Sequence, residues 1–398
     1  MSADCQTDCI APWQGHFGLE RENLRINPDG TLALTPHPRA FGNKLTHPQI
    51  TTDFSESQLE LVTPVTSSLH EAQSQLDCLT QKVCRGLGPE LLWPLSNPPA
   101  ELPPENQIPV ANFGPEGRDK TDYRYYLAKK YGRYKQLYCG LHFNCSFDGL
   151  SGKTAGEKNH FYLHLAAQAM RYRFFLIHLL AASPGRKPDA MYRSVRLSAH
   201  GYRNTEVIHP DYSDAKAYLA SLLEAIREGK IEGPRELYHQ VRIKGRGFEN
   251  PDEEPEATRI ELRIPDLNPF YPSGISLDDL YLMHLFLIWA ANAEDEAFDQ
   301  DAQKKADALA DQAALMDVSE PLKSEIDRVF ERLGSFARSL TLPEGYLHAL
   351  DVAKKRWRNP QKRYAERLIT RFQRGETGLN LARRLKNTFI HKMEDICS

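Results

Sequence analysis

Cysteine is scarce in this chain: seven thiols in 398 residues, an odd number with no CxxC pair. That argues against a disulfide framework or a cysteine zinc site, and the seven read as reduced thiols. An excess of charge of one sign is also missing. Fifty Lys and Arg stand against 53 Asp and Glu, a net charge of -3, so the broad basic surface of a general nucleic-acid binder is absent. Long hydrophobic runs are lacking too. The longest, Leu280 to Ala293, is about 14 residues and includes His284, where a membrane span needs roughly 20. It reads as a buried helix. The opening residues, Met1 to Ile10, are polar and acidic, without the basic and apolar segments of a signal peptide. A cytoplasmic protein with no nucleic-acid or membrane partner is expected.

Two short patterns lack what their chemistry would need. Ser151-Gly152-Lys153-Thr154 looks like the end of a phosphate-binding loop, but Phe147 stands where the first glycine belongs. It is read as a surface loop. His160 and His164 have helical i,i+4 spacing without the glutamate of a zincin motif. The basic C-terminal stretch, Lys354, Lys355, Arg356, Arg358, Lys362, Arg363, Arg367 and Arg371, reads as a solvated helix face.

What is present is an irregular mixture of strands and helices. Short alternating segments at Gly18 to Ile26, Ile50 to Val62, Tyr138 to Phe147, Leu237 to Lys244 and Thr258 to Ile264 predict strands. Helical spacing marks Ser67 to Gly86, Asp119 to Tyr131, Asn159 to Ala182, Ser213 to Glu228 and nearly everything after Leu277, while Pro94 to Pro109 is a loop. Without regular βαβ alternation this is an α+β order with a helical C-terminal portion.

Alternation along the strands locates chemistry, because successive side chains point to opposite faces. Leu141, Phe143, Cys145 and Phe147 form an apolar face, and Gly140, His142, Asn144 and Ser146 the opposite one. Ile260, Leu262 and Ile264 likewise oppose Arg259, Glu261 and Arg263, and Glu20 and Glu22 share one face near the N-terminus. Asp53 and Glu60 have opposite parity, so they meet only if the chain bends near Ser55. Were Glu20, Glu22, Asp53, Glu60 and Glu261 to converge, each pair near 4 Å would repel by about 4 kcal/mol at an effective dielectric near 20. Protonation or cations would have to cancel that, and hard oxygens with one imidazole suit Mg²⁺ or Mn²⁺. Spacing alone leaves open that these are ordinary solvated charges.

The residues also carry a resemblance. Gly18-Leu19-Glu20-Arg21-Glu22-Asn23-Leu24-Arg25, Leu45 to Phe54, Glu60 to Val65, Trp93 to Ser96, Tyr123-Arg124, Gly140 to Asn144, Ser194 to Ser198, Gly201-Tyr202, Glu236-Leu237-Tyr238 and Ile260 to Arg263 occur in that order. Together they resemble proteobacterial-type glutamate-cysteine ligase across most of residues 16 to 290. The resemblance implies a glutamine-synthetase-like catalytic fold, α+β, in which a curved, mainly antiparallel sheet forms a funnel flanked by helices. It implies one catalytic domain over residues 1–398, with a sheet-rich core at about 14–290 and a helical portion at about 291–398.

The same resemblance implies metal ligands at Glu20, Glu22, Asp53, Glu60, His142 and Glu261. It implies catalytic roles for Arg263, Arg196 and Glu261, and ATP or phosphate contacts from Arg263, Lys244 and Arg242. A cysteine pocket is implied at Phe54, Tyr123, Leu127, Arg196, Tyr202 and Tyr238, with Gln136 and Asn144 in matching stretches. The implied activity is ATP-dependent joining of the γ-carboxylate of L-glutamate to the amine of L-cysteine, the first step of glutathione synthesis. Mg²⁺, or else Mn²⁺, is the implied cofactor, and a monomer or weak oligomer the implied state. A related amidoligase using another amine, or a silent ATP- and metal-binding relative, are the alternatives. Retention of every ligand position favours an enzyme, since an acidic cluster without cations destabilises a fold.

Overall fold

The structure is a computed structural model that describes residues 13–392, so the reading of Met1 to Ile10 lies outside the described residues. Its organising element is β1 (Gly15–Ile26), twelve residues long. The chain continues through β2 (Ile50–Thr51), β3 (Gln58–Val62), α1 (Leu69–Gly86), β4 (Leu91–Leu92), α2 (Arg118–Tyr131), β5 (Leu141–Phe147) and α3 (Ala155–Leu180). Next come a small hairpin of β6 (Gly185–Arg186) and β7 (Met191–Tyr192), α4 (Ala215–Arg227), β8 (Val241–Arg246) and β9 (Glu256–Leu262). The rest is helical: α5 (Leu277–Ala291), α6 (Gln300–Ala313), α7 (Glu320–Ser339), α8 (Glu344–Arg358), α9 (Tyr364–Gln373) and α10 (Gly378–Asn387). No described helix is long and apolar enough to cross a membrane.

The main sheet runs β2-β3-β1-β5-β9-β8, with β4 pairing the far end of β1, and every pairing is antiparallel. Helices α1 and α3 pack against β1 and β9, and α5 packs on both helices. That side receives Leu19, Phe143, Cys145, Ile260 and Leu262, all fully buried in the principal core. The expected antiparallel sheet flanked by helices is therefore observed. Helix α5 takes the long apolar run and buries it on nearly all sides, His284 included. The His284 ring packs edge-on against Phe17, and its Nδ1 lies 2.7 Å from the Tyr346 hydroxyl.

Sequence signals explain where helices begin. Ser68 caps α1 by accepting from Glu71 N, and Thr154 with Glu157 forms a capping box at α3. Thr154 is thus a cap in an exposed loop, not part of a phosphate cradle. His160 is exposed and His164 sits 3.5 Å from Asp295, so the pair builds no metal site.

The structure departs from expectation in four places. The segment Ile50 to Val62 is two short strands joined by a turn around Ser55. Strand β8 begins at Val241 because Pro234 starts a 3-10 turn, Pro234–Glu236, and the next residues join no ladder. Strand β9 begins earlier, at Glu256, because a bulge at Lys244/Gly245 extends the β8–β9 hairpin. Gly245 has φ 138°, and a Cβ there would lie 2.2 Å from the Glu256 carbonyl. Finally, Cys78 is disulfide-bonded, which corrects the reading of seven reduced thiols; Cys84, Cys139 and Cys145 are free and buried. Spacing along a chain does not report which sulfurs a fold brings together.

The C-terminal basic stretch is also not uniformly solvated. Arg356 is buried, donating to Asp279 Oδ1 at 2.8 Å and to the Leu179 carbonyl at 3.1 Å. Tyr364 donates to the other Asp279 oxygen at 2.8 Å. Arg367 and Arg371 lie over the Phe270 ring, 3.8 and 4.8 Å from its centre. The Arg356–Asp279 pair ties α8 to α5. Removing one partner of a buried pair strands the other, at a cost of about 3–5 kcal/mol. Asp279→Asn is therefore expected to lower stability by about 3 kcal/mol in urea unfolding; a loss below about 1 kcal/mol would give the pair only the weight of a surface contact.

Candidate functional site

Register decides what meets on the open face of the sheet. Between β1 and β5, Glu20 stands opposite His142; between β1 and β3, Glu22 stands opposite Glu60; between β5 and β9, Asn144 stands opposite Glu261. The turn after β2 carries Asp53 into the same space. All six expected ligand positions, Glu20, Glu22, Asp53, Glu60, His142 and Glu261, line one cavity of about 230 Å³.

His142 is the hub. Its Nδ1 lies 3.1 Å from Glu20 Oε2 and 3.8 Å from Glu261 Oε1, and its Nε2 lies 3.5 Å from Glu22 Oε1. Asn144 donates to the other Glu20 oxygen at 2.9 Å, and the Gly140 amide donates to Glu22 at 2.8 Å. Ligand atoms of Glu20, His142 and Glu261 all lie within 4.8 Å of one another.

The electrostatics divide the carboxylates. Burial raises Glu60 first, and the charges of Asp53, Glu20 and Glu22 push it well above its ordinary range. Burial also leaves Glu22 raised, with Asp53 adding to it against the opposing pull of His142. For Glu20, burial is outweighed by the hydrogen bond and charge of His142, which hold it low. Burial of Glu261 is outweighed by Arg263, Arg242, Lys244 and His142. The nearest approaches of the first three are 3.7, 3.8 and 3.9 Å, all longer than a hydrogen bond. Glu261 Oε2 is buried without a hydrogen-bond partner. Oxygen donors, one imidazole and an orphaned buried carboxylate oxygen form a donor set that fits a hard divalent cation.

Of the residues expected in the acceptor pocket, all but Arg196 come together. Phe54, Leu127 and Tyr238 form a second, separate apolar cluster with Val110, and Tyr123 and Tyr202 pack against it. The Tyr202 and Tyr238 rings lie 4.2 Å apart, centre to centre, and Phe54, Tyr123, Leu127, Tyr202 and Tyr238 all border the carboxylate cavity. Lys244, Arg263 and Gln136 line it too, and Gln136 Nε2 is buried without a partner. Arg242 stands opposite Glu261 across the β8–β9 ladder, outside the cavity lining, and donates to the Pro234 carbonyl at 3.0 Å.

Arg196 is differently placed from a free phosphate ligand. It lines a small recess beside Tyr202 and Arg263, but its Nε donates to Asp266 at 2.8 Å. Its terminal nitrogens donate to the carbonyls of Arg263, Ile264 and Pro265 at 2.7–3.1 Å. The guanidinium pins the chain just beyond β9, and with it Arg263.

Residue spacing missed several participants. Arg124 donates from Nε to the Asp53 carbonyl and lines the cavity; it lies inside the quoted Tyr123-Arg124 block, which was the available signal. Arg235 lies over the Tyr123 ring, 3.6 Å from its centre. Glu236 is fully buried, accepting from Lys130 Nζ at 2.7 Å and the Tyr131 hydroxyl at 2.5 Å. Asn204 donates to the Glu236 carbonyl at 2.7 Å and accepts from the Tyr238 amide at 2.8 Å, bracing the aromatic wall.

Comparison with known proteins places these features in context. A family model described as glutamate-cysteine ligase matches residues 6–250 and 228–312. A bifunctional glutathione biosynthesis protein of Listeria innocua is 36% identical over 397 aligned positions, covering 89% of this chain and 52% of that one. The corresponding Clostridium perfringens protein is 31% identical, covering 96% and 55%. Among solved structures, a bifunctional glutathione synthetase from Pasteurella multocida aligns with TM-score 0.85 and 31% identity over 96% of this chain and 53% of that one. A glutamate-cysteine ligase from Francisella tularensis, in complex with AMP, aligns with TM-score 0.86 and 25% identity over 96% and 90%. The chain spans about half the length of the curated relatives it matches.

The carboxylate crowding generates a test that needs no turnover. In the metal-free protein, at a pH high enough to ionise the raised Glu60 carboxyl, Glu60→Gln removes a repelled charge and is expected to raise stability by about 1 kcal/mol, a gain that fades as pH falls and Glu60 is protonated. Saturating Mg²⁺ or Mn²⁺ at about 100 times the dissociation constant should stabilise the wild type by about 2.7 kcal/mol, and Glu60→Gln less. Thermal melts with and without cation measure both; equal cation-induced shifts in the two proteins would remove Glu60 from the donor set.

Proposed function

The chain belongs to the glutamate-cysteine ligase family, and from that premise we propose that it joins the γ-carboxylate of L-glutamate to the amine of L-cysteine, driven by ATP. The observation that carries this reading is that the carboxylates and imidazole assembled by the sheet register, a donor set suited to a divalent cation, border the same cavity as an apolar, tyrosine-walled pocket.

A γ-carboxylate oxygen of glutamate attacks the γ-phosphorus of ATP, and the bond to the β,γ-bridging oxygen breaks to release ADP. The amine of cysteine then attacks the acyl carbon of γ-glutamyl phosphate, phosphate leaves, and the nitrogen loses a proton. A bound divalent cation, Mg²⁺ or else Mn²⁺, would supply charge neutralisation at the phosphate oxygens. Glu20, Glu22, Asp53, Glu60, His142 and Glu261 would hold it. Arg263, at the rim of the carboxylates, meets negative charge as it develops on the transferring group. Lys244 on β8 adds a second positive charge, and Arg242, facing Glu261 across the β8–β9 ladder, adds a third without bonding it. Arg196 acts by holding the Arg263 segment in place.

Phe54, Leu127, Tyr123, Tyr202 and Tyr238 receive the thiol side chain, since a polarizable sulfur packs well against aromatic rings. A neighbouring pocket of about 370 Å³ that shares Glu20, lined by Phe17, Val62 and Val65 together with His16, Asn144 and Arg259, has the size for the adenine ring, with polar groups at hand for its nitrogens. Acceptor and nucleotide would then approach the cations from separate pockets.

Phosphate release from ATP with Mg²⁺ and glutamate, scanned over cysteine and other amines with mass detection of product, tests the reading. γ-Glutamylcysteine at the highest turnover is expected, and phosphate release only with another amine, or none, would overturn it. Glu261→Gln and Arg263→Ala are expected to lose at least about 100-fold in kcat while remaining folded. Tyr238→Ala should raise the acceptor KM about tenfold and leave those for ATP and glutamate unchanged; an unchanged acceptor KM would remove Tyr238 from the pocket.

A further inference from the structure

The acceptor pocket accounts for a side chain and an amine, but an α-amino acid also brings a carboxylate. A carboxylate placed against Asp53 and Glu60 without a cation would be strongly unfavourable. Four cationic side chains besides His142 line the cavity: Arg124, Arg235, Lys244 and Arg263. Three are already committed. Arg263 and Lys244 lie 3.7 and 3.9 Å from Glu261, on the cation side, and Lys244 also pairs with Glu249 at 3.1 Å. Arg124 donates to the carbonyls of Asp53 and Lys120.

Arg235 differs. Among the described residues it makes no side-chain hydrogen bond, and its one ion pair, with Glu232, is loose at 3.7 Å between two side chains about half exposed. Its guanidinium lies over Tyr123, 3.6 Å from the ring centre, a contact that positions the group and leaves its N–H fork free to bond. Its backbone is held as firmly. Arg235 is the middle residue of the turn Pro234–Glu236, and the next residue, Glu236, is anchored by Lys130, Tyr131 and Asn204. Gln136, which lines the same cavity, has a second buried donor, Nε2, without a partner.

We infer that Arg235 is the residue that recognises the acceptor's α-carboxylate, so that the site selects α-amino acids over simple amines of the same side chain. This rests on the pocket of Phe54, Leu127 and Tyr238 being the acceptor pocket. A charge-assisted bond of this kind is worth roughly 10- to 100-fold in affinity.

The test compares L-2-aminobutyrate with n-propylamine, which share a carbon chain and differ by the carboxylate. Calorimetric titration into the full chain with Mg²⁺ should show a roughly 10- to 100-fold preference for L-2-aminobutyrate. Arg235→Ala should erase that preference with n-propylamine binding unchanged, and Arg235→Lys should keep part of it. In turnover, the ratio of kcat/KM for cysteine over cysteamine should fall by the same factor, with KM for ATP and glutamate unaltered. A preference that survives in Arg235→Ala, equal losses for both ligands, or no binding of L-2-aminobutyrate by the wild type each overturns the inference. The two readings fail separately. If the wild type makes no γ-glutamylcysteine but the calorimetric preference disappears in Arg235→Ala, the ligase reading fails and Arg235 stands. If γ-glutamylcysteine forms and the preference is untouched, the reverse holds.

Discussion

Five carboxylates and one imidazole crowded onto one face of an antiparallel sheet are the constraint around which the rest of this molecule is arranged. Such a cluster is unfavourable as it stands, and the fold counters it with fixed positive charge and with a dense apolar layer on the other side of the same strands. Arg263, Arg242 and Lys244 approach Glu261 without touching it, at 3.7–3.9 Å. They lower the electrostatic cost without filling the space between the oxygens. Fully buried Leu19, Phe143, Ile260 and Leu262, one residue away along the chain, lock the strands that hold the charges. Site and core are two faces of one set of hydrogen bonds.

Much of this was legible because alternation along a strand is a strict period. The parity of Leu141/His142 and Leu262/Glu261 assigns each residue to a face from its place in the chain alone. The opposite parity of Asp53 and Glu60 demanded a bend, and the chain turns at Ser55. Capping signals at Ser68 and Thr154 likewise mark where α1 and α3 begin. What could not be read depends on contacts between segments distant in sequence. Nothing near Arg356 announces that Asp279 will meet it 77 residues away. Nothing in Arg196 indicates that its donors go to the carbonyls after β9. Arg235 and Glu236 are adjacent yet one faces the cavity and the other the interior, because a 3-10 turn has neither the period of a strand nor that of an α-helix.

The aromatic wall is built by a different logic from the carboxylate face. Its rings come from α2, from the turn after β2 and from the loops before β8, so no single register places them. Buried Glu236 aligns them instead, drawing Lys130 and Tyr131 of α2 toward the segment that carries Tyr238. Asn204 closes the circuit by bonding both Tyr131 and the Tyr238 backbone. A polar network of this kind costs desolvation, and in exchange it specifies one arrangement of aromatic groups that could otherwise slide past one another.

The pairing of β1 with neighbours on both sides has a consequence for how the molecule can fail. Shifting β1 by one residue against β3 and β5 would send Glu20 and Glu22 into the apolar layer and bring Leu19 and Arg21 out. No one-residue slip of β1 keeps either glutamate on the carboxylate face, so a chain misaligned in this way does not assemble the cluster. On the proposed metal assignment, a cation titration would count correctly aligned molecules, and the stoichiometry of binding would double as a measure of folding fidelity.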